Sequence, residues 1–206
     1  MTDYFSLLDE SRRPCIDAAE VKAKFLARSA EVHPDRFHEA AEADKLVATD
    51  RFAALNAAHN CLREPRERLR HLLELESGCA PENTQQVPPD AMDLFMEVGQ
   101  LCRDTDQFLE ARARVSSPLL KVQWFERGMQ WTDRLNALQH KLGSRRDALA
   151  VELQTMNAAW ATAPSAGSPA RRDALPLDRL EEIYRAFSYV LRWTAQVQER
   201  LVQLSF

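Results

Sequence analysis

The sequence predicts an all-α protein in two parts, a small N-terminal helical domain followed by an antiparallel three-helix bundle. Three observations carry that expectation. Apolar residues recur at steps of three and four in almost every segment. Strand signals are nearly absent, and glycine totals only 5 of 206 residues. Between the two parts lies "CAPENTQQVPPD", Cys79 to Asp90, a polar stretch holding three prolines that reads as a linker.

The elements follow in order. "DYFSLL" is a short apolar start, too brief to stand alone. From about Asp17 to Val32 a helix is expected, with Asp17 as N-cap and Glu20 three residues on in a capping-box arrangement. Val21, Phe25 and Val32 fall on one face. His33-Pro34 stops this helix, because proline disfavours helical geometry in the residue before it. A second long helix runs from roughly Ala41 to Leu62, with Phe52, Leu55, Ala58 and Leu62 as its stripe. "REPRERLRHLLELESG" gives another, with Leu69, Leu72, Leu73 and Leu75 as its apolar side and Gly78 as a stop.

Beyond the linker the helices lengthen. Leu94, Phe95, Val98, Leu101 and Cys102 make one stripe, continued by Phe108 and Leu109 after a polar break at Arg103–Asp106. Pro118 suits a first helical turn. From there Leu119, Val122, Phe125, Met129, Leu135, Leu138, Leu142, Leu149, Leu153 and Met156 keep nearly constant spacing. A kink is expected near Gly143-Ser144. "ATAPSAGSPARRDALP" reads as a flexible loop near residues 161–176. The last helix carries Leu177, Leu180, Ile183, Phe187, Val190, Leu191, Val197, Leu201 and Leu204. Three amphipathic helices joined by loops bury their stripes against one another, and the antiparallel bundle is the simplest way to do so.

Composition narrows the function. The chain is 45% hydrophobic and 28% charged, with a formal net charge of −4. No apolar run approaches the ~20 residues needed to cross a bilayer. The start "MTDYFSLLDE" lacks the apolar core of a secretory signal, so a cytoplasmic protein is expected. The acidic balance argues against a nucleic-acid binder. Cys15, Cys61, Cys79 and Cys102 are widely spaced without a C-x-x-C pair, so neither disulfides nor a metal site is expected from them. There is no Ser-His-Asp pattern, paired-carboxylate motif or glycine-rich phosphate loop, so no catalytic residue, cofactor or enzymatic activity is expected.

One motif stands out. "SAEVHPDRFHEA" places His33-Pro34-Asp35 in the break between two helices. Read from the residues alone, His33 could be a catalytic base, a metal ligand with His38 or a fold-stabilising loop residue, and Asp35 could merely cap the next helix. His-Pro-Asp between two helices of a small all-α domain resembles the J-domain, the module of co-chaperones that act on DnaK-type ATPases. The run "LNAAHNCLREPRERLRHLLEL", together with "DYFSLL", "HPDRF", "LFMEVGQL" and the terminal "ERLVQLSF", narrows the resemblance to the HscB family of iron–sulfur cluster assembly.

The resemblance implies a J-domain over residues 1–78, a linker over 79–90 and a client-binding helical bundle over 91–206. It implies that Asp35 meets a basic residue of an HscA/DnaK-type chaperone, that His33 shapes the loop and that Pro34 fixes its course. Lys22, Lys24 and Arg36 would supply a basic surround. The client implied is an IscU-type scaffold, met by Phe95, Met96 and Glu97 in the first bundle helix and by Arg185 and Phe187 in the last. A monomer is implied as well. The alternative is a J-domain co-chaperone with a different client.

Several positions depart from the family pattern. Arg28 stands where leucine is common, with its stem along the core edge or the helix packed differently. Val32 replaces an aromatic before His33, and Glu31 dilutes the basic face. Gly99 and Gln100 replace an apolar residue and a carboxylate, and Ala186 stands at the place of the arginine. His59 occupies a usual aromatic position and is expected to be structural.

Overall fold

The structure, a computed structural model, describes residues 2–81 and 87–205, with the side chains of Pro89 and residues 118–121 left aside. Among the described residues eight α-helices follow one another: α1 Tyr4–Leu7, α2 Ala18–Glu31, α3 Glu42–Arg63, α4 Pro65–Ser77, α5 Met92–Ala113, α6 Pro118–Thr162, α7 Pro169–Ala174 and α8 Leu177–Leu204. Short 3-10 turns cover Pro34–Phe37 and Pro89–Ala91. No strand occurs among the described residues. Part of the expected linker, residues 82–86, lies outside the described residues, as do the terminal Phe206 and the side chain of Leu119.

The chain divides into two compact units, one of residues 1–83 with 152–184 and the other of residues 84–151 with 185–206. Helices α6 and α8 therefore each supply residues to both.

In the first unit the N-terminal helices are fixed by their caps. The Asp3 carboxylate accepts the N–H groups of Phe5 and Ser6 at 3.0 and 3.3 Å, which starts α1. Asp17 starts α2 by accepting the Ala19 N–H at 2.8 Å. Glu20 does not complete a capping box; it pairs with Lys24 at 3.0 Å and with Arg13 at 3.4 Å. Helix α2 lies antiparallel to α3, with Phe25 stacked on His59 at 4.4 Å and His33 against Phe52 at the other end. Phe5, Leu8, Val21, Ala58, Leu62, Leu69 and Leu72 are fully buried and make the core between these helices. Arg68, buried on α4, donates to the carbonyls of Pro14 at 2.9 Å and Leu62 at 2.7 Å, so it satisfies an orphan carbonyl at the end of α3. Gly78, at φ 81°, ends α4 in the left-handed conformation that glycine adopts without strain.

The later residues of this unit are tied to the earlier ones. The Asn157 amide closes two hydrogen bonds on Cys15, accepting its N–H at 2.9 Å and donating to its carbonyl at 2.8 Å. Arg171 of α7 grips the Glu76 carboxylate with Nε and Nη2, both at 2.8 Å, and Arg12 approaches the same carboxylate at 3.9 Å. The expected flexible loop near 161–176 thus contains a short helix anchored by a buried ion pair.

In the second unit α5, α6 and α8 pack around Val98, Leu101, Cys102, Leu135, Leu138, Leu142, Trp193 and Val197. Their directions follow from the polar pairs. Arg200 of α8 reaches Asp106 of α5, and Arg112 donates to the carbonyls of Gln203 and Leu204, so α5 and α8 run parallel. Lys141 of α6 pairs with Glu97 while Trp124 meets Phe108, so α6 runs against α5. The result is an antiparallel bundle of three helices.

One stretch of α6 differs from expectation. Val122, Phe125 and Met129 are 61%, 68% and 56% exposed, and the inward face of that part of α6 is instead formed by Trp124, Gly128 and Trp131. Helix α6 runs through Gly143 and α5 through Arg103–Asp106 without interruption. Thr105 is fully buried in α5 because its hydroxyl bonds the Leu101 carbonyl at 2.7 Å, which removes the cost of burying it.

Candidate functional site

The His-Pro-Asp turn is built by its own residues. His33 caps the 3-10 turn, and its Nδ1 accepts the Asp35 N–H at 3.3 Å. The Arg36 N–H returns to the His33 carbonyl at 3.0 Å. Pro34 occupies the first position of the turn, where a missing N–H costs nothing. The His33 ring sits edge-on to Phe52 at 5.1 Å, which ties the turn to α3. Each of these contacts constrains the backbone at Asp35 and none of them buries its carboxylate, which is 89% exposed.

Asp35 caps neither helix. Helix α3 is preceded by Ala41, which gives it no side-chain cap, and among the described residues the Asp35 carboxylate has only His33 Nδ1 near it, at 3.5 Å. His38 Nδ1 bonds the Asp35 carbonyl at 2.9 Å and lies on the surface. Among the described residues no group of His, Cys, Asp and Glu is arranged to hold a metal ion.

The expected basic surround is only partly brought together. Lys22 is exposed on α2. Lys24 is committed elsewhere, at 2.7 Å from the Glu10 carboxylate and 3.0 Å from Glu20, and its pKa is raised chiefly by the Glu10 hydrogen bond. Arg36 folds back to donate to the Ala30 carbonyl at 3.1 Å, which leaves its charge beside the turn. Arg28 is exposed, with its head 3.8 Å from Asp9.

A second candidate surface lies on α5. Met96 is 60% exposed and Phe95 40% exposed, and Met92, which sequence reasoning missed, adds 44% exposure on the same face. The spacing that could have revealed Met92 is the i, i+3, i+4 relation it shares with Phe95 and Met96. Phe95 rests against Trp193 of α8 with ring centroids 6.2 Å apart. Glu97 turns away from these residues and pairs with Lys141 of α6 at 2.6 Å. Arg185 is half-buried and engaged within the chain. Phe187, which the resemblance placed on the partner surface, is 2% exposed and belongs to the buried stripe of α8 with Ala186 and Val190. A core ring offers no surface for a partner to touch.

His71 carried no signal in the sequence, yet it anchors the start of the chain. It is buried, its Nε2 accepts the Tyr4 N–H at 3.1 Å, and the Tyr4 ring stacks on it at 4.5 Å. Burial pushes its pKa below the ordinary histidine value. His59 is likewise depressed, first by burial and then by Arg63 and Lys22.

Comparison with known proteins completes the picture. No family model matches the chain. It is 34% identical over 118 residues to a protein of Chromobacterium violaceum called a co-chaperone protein HscB homolog, covering 57% of this chain and 67% of that one. The homolog of the same name from Bordetella pertussis is 31% identical over 127 residues, 59% of this chain and 74% of its own length. Among solved structures, the chaperone HscB of Vibrio cholerae superposes with a TM-score of 0.62 at 20% identity, covering 98% of this chain and 99% of that one. The human co-chaperone protein HscB gives 0.60 at 17% identity, with 98% and 81% covered. These two structures share the fold of the whole chain, and the two bacterial relatives share its sequence over most of their own length. The chain therefore belongs to the HscB family of J-domain co-chaperones.

Proposed function

We propose that this chain stimulates ATP hydrolysis by an HscA/DnaK-type chaperone and delivers to it an IscU-type scaffold protein that carries a nascent iron–sulfur cluster. The observation that carries this reading is the Asp35 carboxylate, held at the break of the α2–α3 hairpin and 89% exposed. A carboxylate presented by a proline-stiffened turn is ready to accept charge-assisted hydrogen bonds from an arginine or lysine of a partner. Little conformational freedom is lost when it does so. The chain performs no chemistry in this reading. It biases the chaperone toward its hydrolysis-competent conformation, and such a bias is as large as the difference in affinity for the two conformations.

Scaffold delivery rests on Met92, Phe95 and Met96, a contiguous apolar face on α5. The deciding experiment is single-turnover ATP hydrolysis by an HscA- or DnaK-type chaperone from the same source. Stimulation by the native chain is expected, with loss in His33→Gln and Asp35→Asn at unchanged helicity. Equal stimulation by the variants, or none by the native chain, overturns the chaperone reading.

A second reading keeps the chaperone contact and changes the client. It is favoured by Gly99 and Gln100, which leave the exposed face without the family's apolar residue and carboxylate. Failure of an IscU-type scaffold to bind at micromolar concentration would put this second reading first.

A further inference from the structure

We infer that Arg192 is a specificity-determining residue of the α5–α8 surface and that it pairs with a carboxylate of the scaffold partner. The inference rests on the scaffold reading above and deepens it. The Arg192 guanidinium lies over the Tyr189 ring, 5.5 Å from its centroid. Tyr189 meets Trp193 at 5.4 Å, and Trp193 meets Phe95 at 6.2 Å. Four residues in a row thus connect the exposed apolar face of α5 to a cation on α8.

Other cations of this unit are already paired, and the two that stack likewise, Arg127 and Arg134, lie over Trp124 and Trp131 of α6, off the row of Phe95, Trp193 and Tyr189. Lys141 is neutralised by Glu97 at 2.6 Å, Arg200 by Asp106 at 2.6 Å, and Arg145 by Asp90. Arg103 donates to the Gln100 amide oxygen at 2.8 Å. Arg192 is exposed, and no carboxylate pairs with it among the described residues. Stacking on an aromatic face occupies the flat side of a guanidinium and leaves its in-plane N–H fork open. That fork matches a carboxylate in two parallel hydrogen bonds. Because the ring already restrains the side chain, less rotamer freedom is lost on binding than for a free arginine or lysine. An arginine beside exposed methionine and phenylalanine also has the composition of an interface centre.

The test is calorimetric titration of the purified IscU-type scaffold from the same source into the full chain, at low and at high salt. The proteins compared are the native chain, Arg192→Gln, Arg192→Lys and Met96→Ala. Arg192→Gln is expected to bind about tenfold more weakly at low salt and to lose most of the salt dependence. Arg192→Lys keeps the charge without the fork and is expected to fall between the two. Unfolding midpoints are expected to stay at the native value, since Arg192 is on the surface. If Met96→Ala weakens binding while Arg192→Gln binds as the native chain does, the inference is overturned and the scaffold reading stands. If the native chain itself does not bind, both fall.

Discussion

His33 and Phe52 meet edge to face, ring centroids 5.1 Å apart and planes at 75°, at the point where α2 gives way to the turn. The contact joins a residue of the turn to the face of α3 that continues into the core at Leu55. The turn is thus held from outside as well as by its own hydrogen bonds.

Phe52→Leu keeps an apolar side chain, somewhat smaller, and removes the ring. An aromatic pair of this kind contributes about 1 kcal/mol, so chaperone stimulation is expected to fall about fivefold while His33→Gln abolishes it. The same single-turnover assay compares the two, and equal behaviour of Phe52→Leu and the native chain would show that the ring contact does not position the turn.

Stability is expected to decrease as the pH falls below the ordinary histidine value. His71 is depressed by burial and must be neutral at Nε2 to accept the Tyr4 N–H. The unfolded chain therefore binds a proton near pH ~6.5 that the folded chain refuses until lower pH. The contribution is complete above that value and is lost as pH falls from it toward the folded pKa, with a slope of at most ~1.4 kcal/mol per pH unit for one residue. His59 adds in the same direction. Urea midpoints measured from neutral pH to mildly acid pH should decline, and His71→Gln, which still offers an acceptor, should flatten the decline.

Arg171→Met is expected to destabilise the first unit by about 3 kcal/mol, the scale for breaking a buried ion pair from one side. The Glu76 carboxylate, 3% exposed, would be left with Arg12 at 3.9 Å as its nearest cation. Adding Glu76→Gln should recover most of the loss. Denaturant unfolding of the single and double variants measures both, and a single variant as stable as the native chain would mean the pair contributes nothing net.

Thiol labelling should follow burial. Cys61 is pushed up to about 11 by burial, with Glu67 adding to the effect, and Cys102 is raised by burial as well. Cys79 is exposed. With iodoacetamide at mildly alkaline pH, mass spectrometry should find Cys79 alkylated well before Cys61 or Cys102.

Gly143→Ala is expected to stabilise the chain by about 1 kcal/mol. A Cβ there meets nothing within 4 Å, and α6 is continuous through the position. A lower thermal midpoint would reveal a backbone demand for glycine that the helix does not display.

Sequence patterns gave access to whatever depends on near neighbours. Val21, Leu55, Ala58, Leu62 and Leu69 recur at helical steps and are buried as that spacing requires. The Asp17 cap and the Gly78 stop are local decisions, made within one turn. The motif at His33-Pro34-Asp35 was visible for the same reason. Phe125 and Met129 face outward although their spacing fits a stripe, because α6 carries apolar residues on two faces and spacing alone does not say which one Trp124 and Trp131 will claim. Phe187 followed a resemblance onto the surface when the crowded apolar stripe of α8 had already placed it inside. His71, Lys24 and Glu97 depend on partners 67, 14 and 44 residues away. No local pattern encodes such distances.

The Asn157 amide holding both backbone groups of Cys15 sets an order of events during synthesis. The two residues are 142 positions apart. Until the last turns of α6 have left the ribosome, the N–H and carbonyl of Cys15 are left to water. Until α7 follows, Glu76 waits for Arg171. The helical hairpin that bears the motif can collapse early through local contacts, but its unit closes only when residues 152–184 arrive. A chain stalled midway presents its His33-Pro34-Asp35 turn on an unfinished unit.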